Sequence, residues 1–206
     1  MVEDRDAEVA GPVPAWLGHW WLPLLICIVA FLAEAGGETA RFALRYERMA
    51  IGEGEYWRLL TGHFVHLGWS HLLMNMLALL LIWLLVGDRL NGRAWLLALP
   101  AIIVTIDAGF WWLDTPLAWY VGFSGALHGM LLAGLVVDWR RPGGETWLLG
   151  AMLLAKLSYE QLVGPLPGSA ASAGGDVVVN AHLYGAVGGL LAVAASKIRV
   201  ARSRSI

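Results

Sequence analysis

Charge is scarce in this sequence: Asp, Glu, Lys and Arg make up 15% of 206 residues, and their balance is a net −2. The basic residues do not gather on one amphipathic face, so nucleic acid is not an expected partner. Cysteine is nearly absent as well, and a lone Cys27 excludes an intrachain disulfide. Internal repeats, low-complexity tracts and linker-like stretches are missing too, so a single domain over residues 1–206 is expected. What fills the chain is apolar: 58% of its residues are hydrophobic and 12 are tryptophan, the usage of an integral membrane protein.

Six apolar runs, at about 17–35, 71–87, 94–113, 123–137, 146–163 and 177–196, are each near the length a tilted helix needs to cross a lipid bilayer. They predict an all-α membrane bundle of six transmembrane helices. The first run ends in Ala33-Glu34-Ala35, which has the look of a signal-peptidase site, but the leading segment is acidic rather than basic, which argues against cleavage. If the runs cross alternately, Arg5, Arg89, Arg93, Arg140, Arg141, Lys197, Arg199, Arg202 and Arg204 share one side, which puts both termini in the cytoplasm. The exception is the first outer loop, which carries Arg41, Arg45, Arg48 and Arg58 among several glutamates. At roughly 35 residues it is long enough to be a folded element, since most connections are under about 6.

Polar side chains within lipid-spanning helices are expensive, so each calls for a reason. The candidates are His71 and Asn75, Asp107, Ser124 and His128, Lys156 and Glu160, and His182. Helix rise compares their depths: at 1.5 Å per residue Ser124 lies roughly 21 Å above Asp138, His182 roughly 22 Å above Lys197, and Asn75 roughly 20 Å above Asp88. Three polar groups on three helices share one level, some 8 to 10 Å below the outer face of a core about 30 Å thick. The fourth helix then begins deep, met by the irregular stretch "LDTPLAWYVGF", and backbone of that kind survives at depth only beside protein or trapped water. A wet cavity open to the outside satisfies both conditions.

Gly125 and Gly129 form one G-x-x-x-G, and Gly185 and Gly189 another on the face that carries His182. Small residues on both helices permit close approach and would set Ser124 against His182. A hydroxyl and an imidazole at one depth suggest nucleophilic catalysis, with His182 as the base that activates Ser124 and later protonates the leaving amine. Asn75, His71 and the Ser124 backbone N–H are the donors available to a tetrahedral oxyanion.

The motifs around these residues resemble those of the rhomboid intramembrane serine proteases. "EYWRLLTGHFVH" is similar to the rhomboid first-loop motif through Trp57 and Arg58, and "HLGWSHLLMNM" to the H-x4-H-x3-N of the second helix through His66, His71 and Asn75. "GFSG" matches G-x-S-G through Gly122 and Ser124, and "HLYGAVGG" matches the last-helix pattern through His182, Gly185 and Gly189. The resemblance implies a Ser–His dyad with no third acid, His71 and Asn75 in the oxyanion hole, and structural roles for His66 and for Trp57-Arg58. It implies no cofactor and no metal. Where many rhomboids have a tyrosine four residues after the serine, this chain has His128, and "SGALHG" with the compact length resembles the rhombosortase branch. That branch implies a bacterial inner-membrane enzyme with its site opening to the periplasm. The substrate so implied is a membrane-anchored protein whose C-terminus carries a Gly-Gly motif, a transmembrane helix and a basic tail.

Three further readings accompany this one. Lys156 and Glu160, spaced i, i+4, pair along one helix face, or else this pair, or Lys156 with Asp107, lines the polar cavity and helps receive a substrate. The loop "GPLPGSAASAGGD" is a flexible connection or a movable cap. Two other functions compete: a metal-binding or transport protein in which His71, His128 and His182 converge on a cation, and an inactive relative that escorts transmembrane segments.

Overall fold

A computed structural model describes residues 15–137 and 143–203. Six long helices occupy the six apolar runs to within about two residues at most ends: α1 (Ala15–Ala35), α5 (Trp69–Val86), α6 (Gly92–Trp112), α7 (Ser124–Val137), α8 (Gly144–Leu162) and α10 (Val179–Ser203). Three of them, α5, α6 and α10, contain stretches long and apolar enough to cross a membrane. A fourth candidate is α1 taken with α2 (Gly37–Leu44), a pair bent by 114°. Helix α7 is apolar and runs for 14 of the described residues. Of the orientation charges, Arg5, Arg140, Arg141 and Arg204 lie outside the described residues.

Close packing of α7 on α10 forms the centre, with α6 against both, and glycine makes this possible. A Cβ on Gly185 would overlap the Gly125 carbonyl oxygen, one on Gly129 the Gly185 carbonyl oxygen, and one on Gly189 the Gly129 carbonyl oxygen. The two G-x-x-x-G patterns therefore interlock backbone to backbone. Around them Trp95, Ile102, Ile106, Phe110, Phe123 and Met130 are fully buried. Helix α8 stands further out. It touches α7 and α10, while Trp147, Leu148, Met152 and Leu154 remain exposed.

The long first loop is a folded element, as its size suggests. It contains α2, the short strand β1 (Tyr46–Glu47), and the short helices α3 (Arg48–Gly52) and α4 (Arg58–Thr61). β1 pairs antiparallel with β2 (Trp119–Tyr120), ahead of α7, so the loop is tied to the chain leading into "GFSG". Arg48 holds the end of α6 by donating to the carbonyls of Leu117 (2.9 Å), Asp114 (3.1 Å), Trp111 (3.3 Å) and Phe110, which satisfies acceptors a helix C-terminus leaves open. Arg58 donates to Glu55 at 2.6 Å and to the carbonyls of Phe42 and Arg45 at 2.8 and 3.0 Å, and the Trp57 indole donates to Ala43 O at 3.3 Å. Both residues organise the loop.

Candidate active site

Ser124 is the first residue of α7, so its backbone N–H has no helical acceptor and the positive end of the helix dipole falls on it. The approach to this position needs glycine. Gly122 has φ +122°, and a Cβ there would stand 2.8 Å from Cε1 of His71. Gly122 N–H donates to Gly62 O at 3.2 Å, and its carbonyl accepts from the Tyr120 hydroxyl at 2.6 Å. Burial pushes the Tyr120 phenol upward from its ordinary range, which keeps it a neutral donor. The nucleophile turn is thus held by the first loop on one side and by a buried tyrosine on the other.

Across the α7–α10 contact, Nε2 of His182 lies 2.9 Å from Ser124 Oγ. The His128 ring stacks on His182 with centroids 4.2 Å apart and planes at 19°, and its Nδ1 lies 2.7 Å from the Ser124 carbonyl oxygen, one turn back on α7. A carbonyl only accepts, so this nitrogen carries a proton and the ring is fixed against its neighbour.

His71 and Asn75 face the same space from α5. Asn75 donates to the His71 carbonyl at 2.9 Å within its own helix. His71 Nδ1 accepts from Leu67 N–H at 3.3 Å, which leaves the proton on Nε2, a donor directed away from that loop. His66 is fully buried with its ring edge-on to His71, centroids 5.0 Å apart. Burial first, and the neighbouring His71 second, lower its pKa to about 3, so it stays neutral.

Ser124, His182, His128, His71 and Asn75 line a cavity of about 570 Å³ between α5, α7 and α8. Most of the remaining wall is apolar, including Met74, Ile82, Leu131, Leu149 and Met152, while Lys156, Glu160 and Ser169 add polar groups. α9 (Ser169–Ala173), in the Gly- and Ser-rich loop, contributes Ser169 and Ala173 to the lining. It is joined to the start of α5 by a hydrogen bond from Ser70 Oγ to Ser172 O at 2.8 Å.

Two sequence expectations need correction. Asp107 does not join Lys156. Its carboxylate lies 3.2 Å from Nε2 of the buried His63, which anchors the first loop to α6 and leaves Asp107 off the lining of the Ser124 cavity. In the sequence His63 carries little signal beyond its place in "GHFVH", five residues past Arg58. The second correction concerns the absence of an acid. Glu160, buried on α8, brings Oε2 to 2.9 Å from Nδ1 of His182, and its other oxygen accepts from Lys156 at 2.6 Å. Lys156 and Glu160 therefore pair along their helix and also line the cavity. Among the described residues the group spaced to hold a metal is His128, Glu160 and His182, with ligand atoms within 4.8 Å of one another. His71 is not in it.

Residues 53–197, well over half of the chain, match the Rhomboid domain family. The chain is 36% identical over 125 residues to Rhomboid protease GluP of Bacillus subtilis (strain 168), a match covering 58% of this chain and 24% of that protein. It is 28% identical over 144 residues to Putative rhomboid protease YdcA of the same organism, covering 69% of this chain and 68% of the relative. The chain thus matches only about a quarter of the length of the first relative. The matched segment runs from the folded first loop through the interlocked α7 and α10, and it takes in every group around the Ser124 cavity. On that ground the chain belongs to the rhomboid family.

Proposed function

We propose that this protein is an intramembrane serine endopeptidase, with Ser124 as nucleophile and His182 as general base and acid. The observation that carries this reading is the 2.9 Å approach of Ser124 Oγ to His182 Nε2 inside a cavity large enough for an unwound peptide segment. Serine attacks a carbonyl effectively only when a base takes its proton. As the Oγ–C bond forms, the proton passes to Nε2 and the carbonyl π pair moves onto oxygen. The Ser124 N–H, His71 Nε2–H and Asn75 amide are the donors available to that oxyanion. When the C–N bond breaks, the leaving amine takes the proton from Nε2, and water repeats the sequence to free the acyl-enzyme.

A helical substrate hides its carbonyls, so a short stretch must unwind before attack, and glycine makes unwinding cheap. The apolar cavity walls suit a transmembrane segment arriving from the bilayer. The likeness of "SGALHG" to the rhombosortase branch supports a substrate with a C-terminal Gly-Gly motif, a membrane helix and a basic tail. The lysines and arginines on the intervening loops support six crossings with both termini cytoplasmic and a site opening to the periplasm of a bacterial inner membrane. α9 is read as a cap over the cavity.

The test is co-expression with a Gly-Gly-tailed membrane protein. Wild type is expected to cleave it, and Ser124→Ala and His182→Ala to leave it intact, while a fluorophosphonate labels wild type at Ser124. Cleavage that survives both substitutions ends the protease assignment.

A further inference from the structure

We propose that Glu160, held by Lys156, is a positioning residue that fixes the tautomer and orientation of His182, so that the site works as a Ser–His–Glu triad. This rests on the protease reading above. A carboxylate only accepts hydrogen bonds, so the 2.9 Å contact between Glu160 Oε2 and His182 Nδ1 requires the proton on Nδ1. Nε2 then presents its lone pair to the Ser124 hydroxyl 2.9 Å away, the arrangement a general base needs. When Nε2 takes the serine proton, the imidazolium forms against a buried carboxylate, with Nδ1–H still donating to it and no further proton moving. Glu160 and His182 are both buried, so water does not compete for this contact.

Lys156 makes the arrangement sensitive to sign. Its ammonium is 2.6 Å from Glu160 Oε1 and 3.4 Å from His182 Nδ1. With the carboxylate present, Lys156 neutralises Glu160 and leaves Nδ1–H undisturbed. With an amide at 160, the ammonium captures the amide oxygen and turns the NH2 toward Nδ1. The amide then donates where the carboxylate accepted, which drives the imidazole proton onto Nε2 and disables the base. The lysine that supports the triad opposes its amide variant. The ammonium already supplies a positive charge beside Glu160, one of the three residues spaced to hold a metal.

The experiment compares wild type, Ser124→Ala, Glu160→Gln, Lys156→Met and the Glu160→Gln/Lys156→Met double variant in liposomes on a Gly-Gly-tailed transmembrane substrate, with thermal unfolding of each. Glu160→Gln is expected to lower kcat by roughly 10²- to 10⁴-fold with KM little changed. Lys156→Met is expected to lose less. The double variant should recover at least about tenfold over Glu160→Gln, because its amide is free to present oxygen to Nδ1. A merely structural role for Glu160 gives no such recovery. Wild-type kcat in Glu160→Gln, a double variant no faster than Glu160→Gln, or wild-type activity lost to EDTA and restored by zinc each overturns the proposal. If Glu160→Gln does not fold, Glu160→Asp, which keeps the carboxylate and shortens its reach, replaces it, and an unchanged kcat there also overturns the proposal. Persistent turnover by Ser124→Ala removes the protease reading itself, whereas an inactive Ser124→Ala beside a fully active Glu160→Gln removes only the role of Glu160.

Discussion

At the scale of single residues, the site depends on groups whose freedom has been removed. Gly122 combines a positive φ of +122° with a wall of imidazole 2.8 Å from where a Cβ would sit. Gly122→Ala should therefore cost about 1–3 kcal/mol of stability from backbone strain and displace His71. The expected result is a lowered unfolding temperature in detergent together with slowed fluorophosphonate labelling of Ser124; labelling at the wild-type rate would show that this turn tolerates a side chain. Ser124, His182 and Asn75 were legible in the sequence as polar groups in apolar runs that helix rise puts at one level, and His71 as a further polar group one turn from Asn75. Glu160 was legible only in part. The same arithmetic applied from Glu145 puts Glu160 fifteen residues along its helix, roughly 22 Å up and level with Ser124, but its i, i+4 lysine offered a sufficient local partner. Asp107 misled for the opposite reason. Depth alone does not give azimuth, and its helix turns that side chain toward His63.

At the scale of elements, the six long helices were readable because apolar length and charged ends mark them, and the α7–α10 contact because its glycines recur every fourth residue. The interior of the first loop was not readable. Its two-residue strand and the Arg48 clasp on α6 depend on contacts more than sixty residues apart in sequence, which no local pattern encodes. The α9 segment yields an element-scale test, since Ser70 and Ser172 already join it to α5. With Cys27→Ser as background, cross-linking Ser70→Cys to Ser172→Cys through a short thiol-reactive bridge should slow cleavage of a transmembrane substrate. Labelling by a small fluorophosphonate should persist. If bridged protein cleaves at the unbridged rate, α9 does not act as a cap.

At the scale of the whole molecule, exposed Leu24, Leu25, Ile28 and Leu32 on α1, Leu73, Leu77, Leu81 and Leu84 on α5, and Leu97 and Val104 on α6 give the bundle an apolar exterior. An exterior of this kind is stable in lipid and aggregates in water. The proposed orientation puts exposed Glu53 outside and exposed Asn91 inside. In Cys27→Ser protein, a membrane-impermeant maleimide should label Glu53→Cys in intact spheroplasts and reach Asn91→Cys only after permeabilisation. The reverse pattern would invert the topology.

The unequal packing of the bundle links access to chemistry. The interlocked glycines allow α7 and α10 no room to slide, so the serine and the imidazole stay in register while α8, with one side largely uncovered, is the wall of the cavity freest to shift. That wall carries Glu160. On the proposed function, an outward shift of α8 that let a peptide in from the lipid would take the carboxylate off the imidazole until the helix packed back. A triad of the proposed kind would then stand incomplete while the cavity is open to lipid and complete only once it has closed.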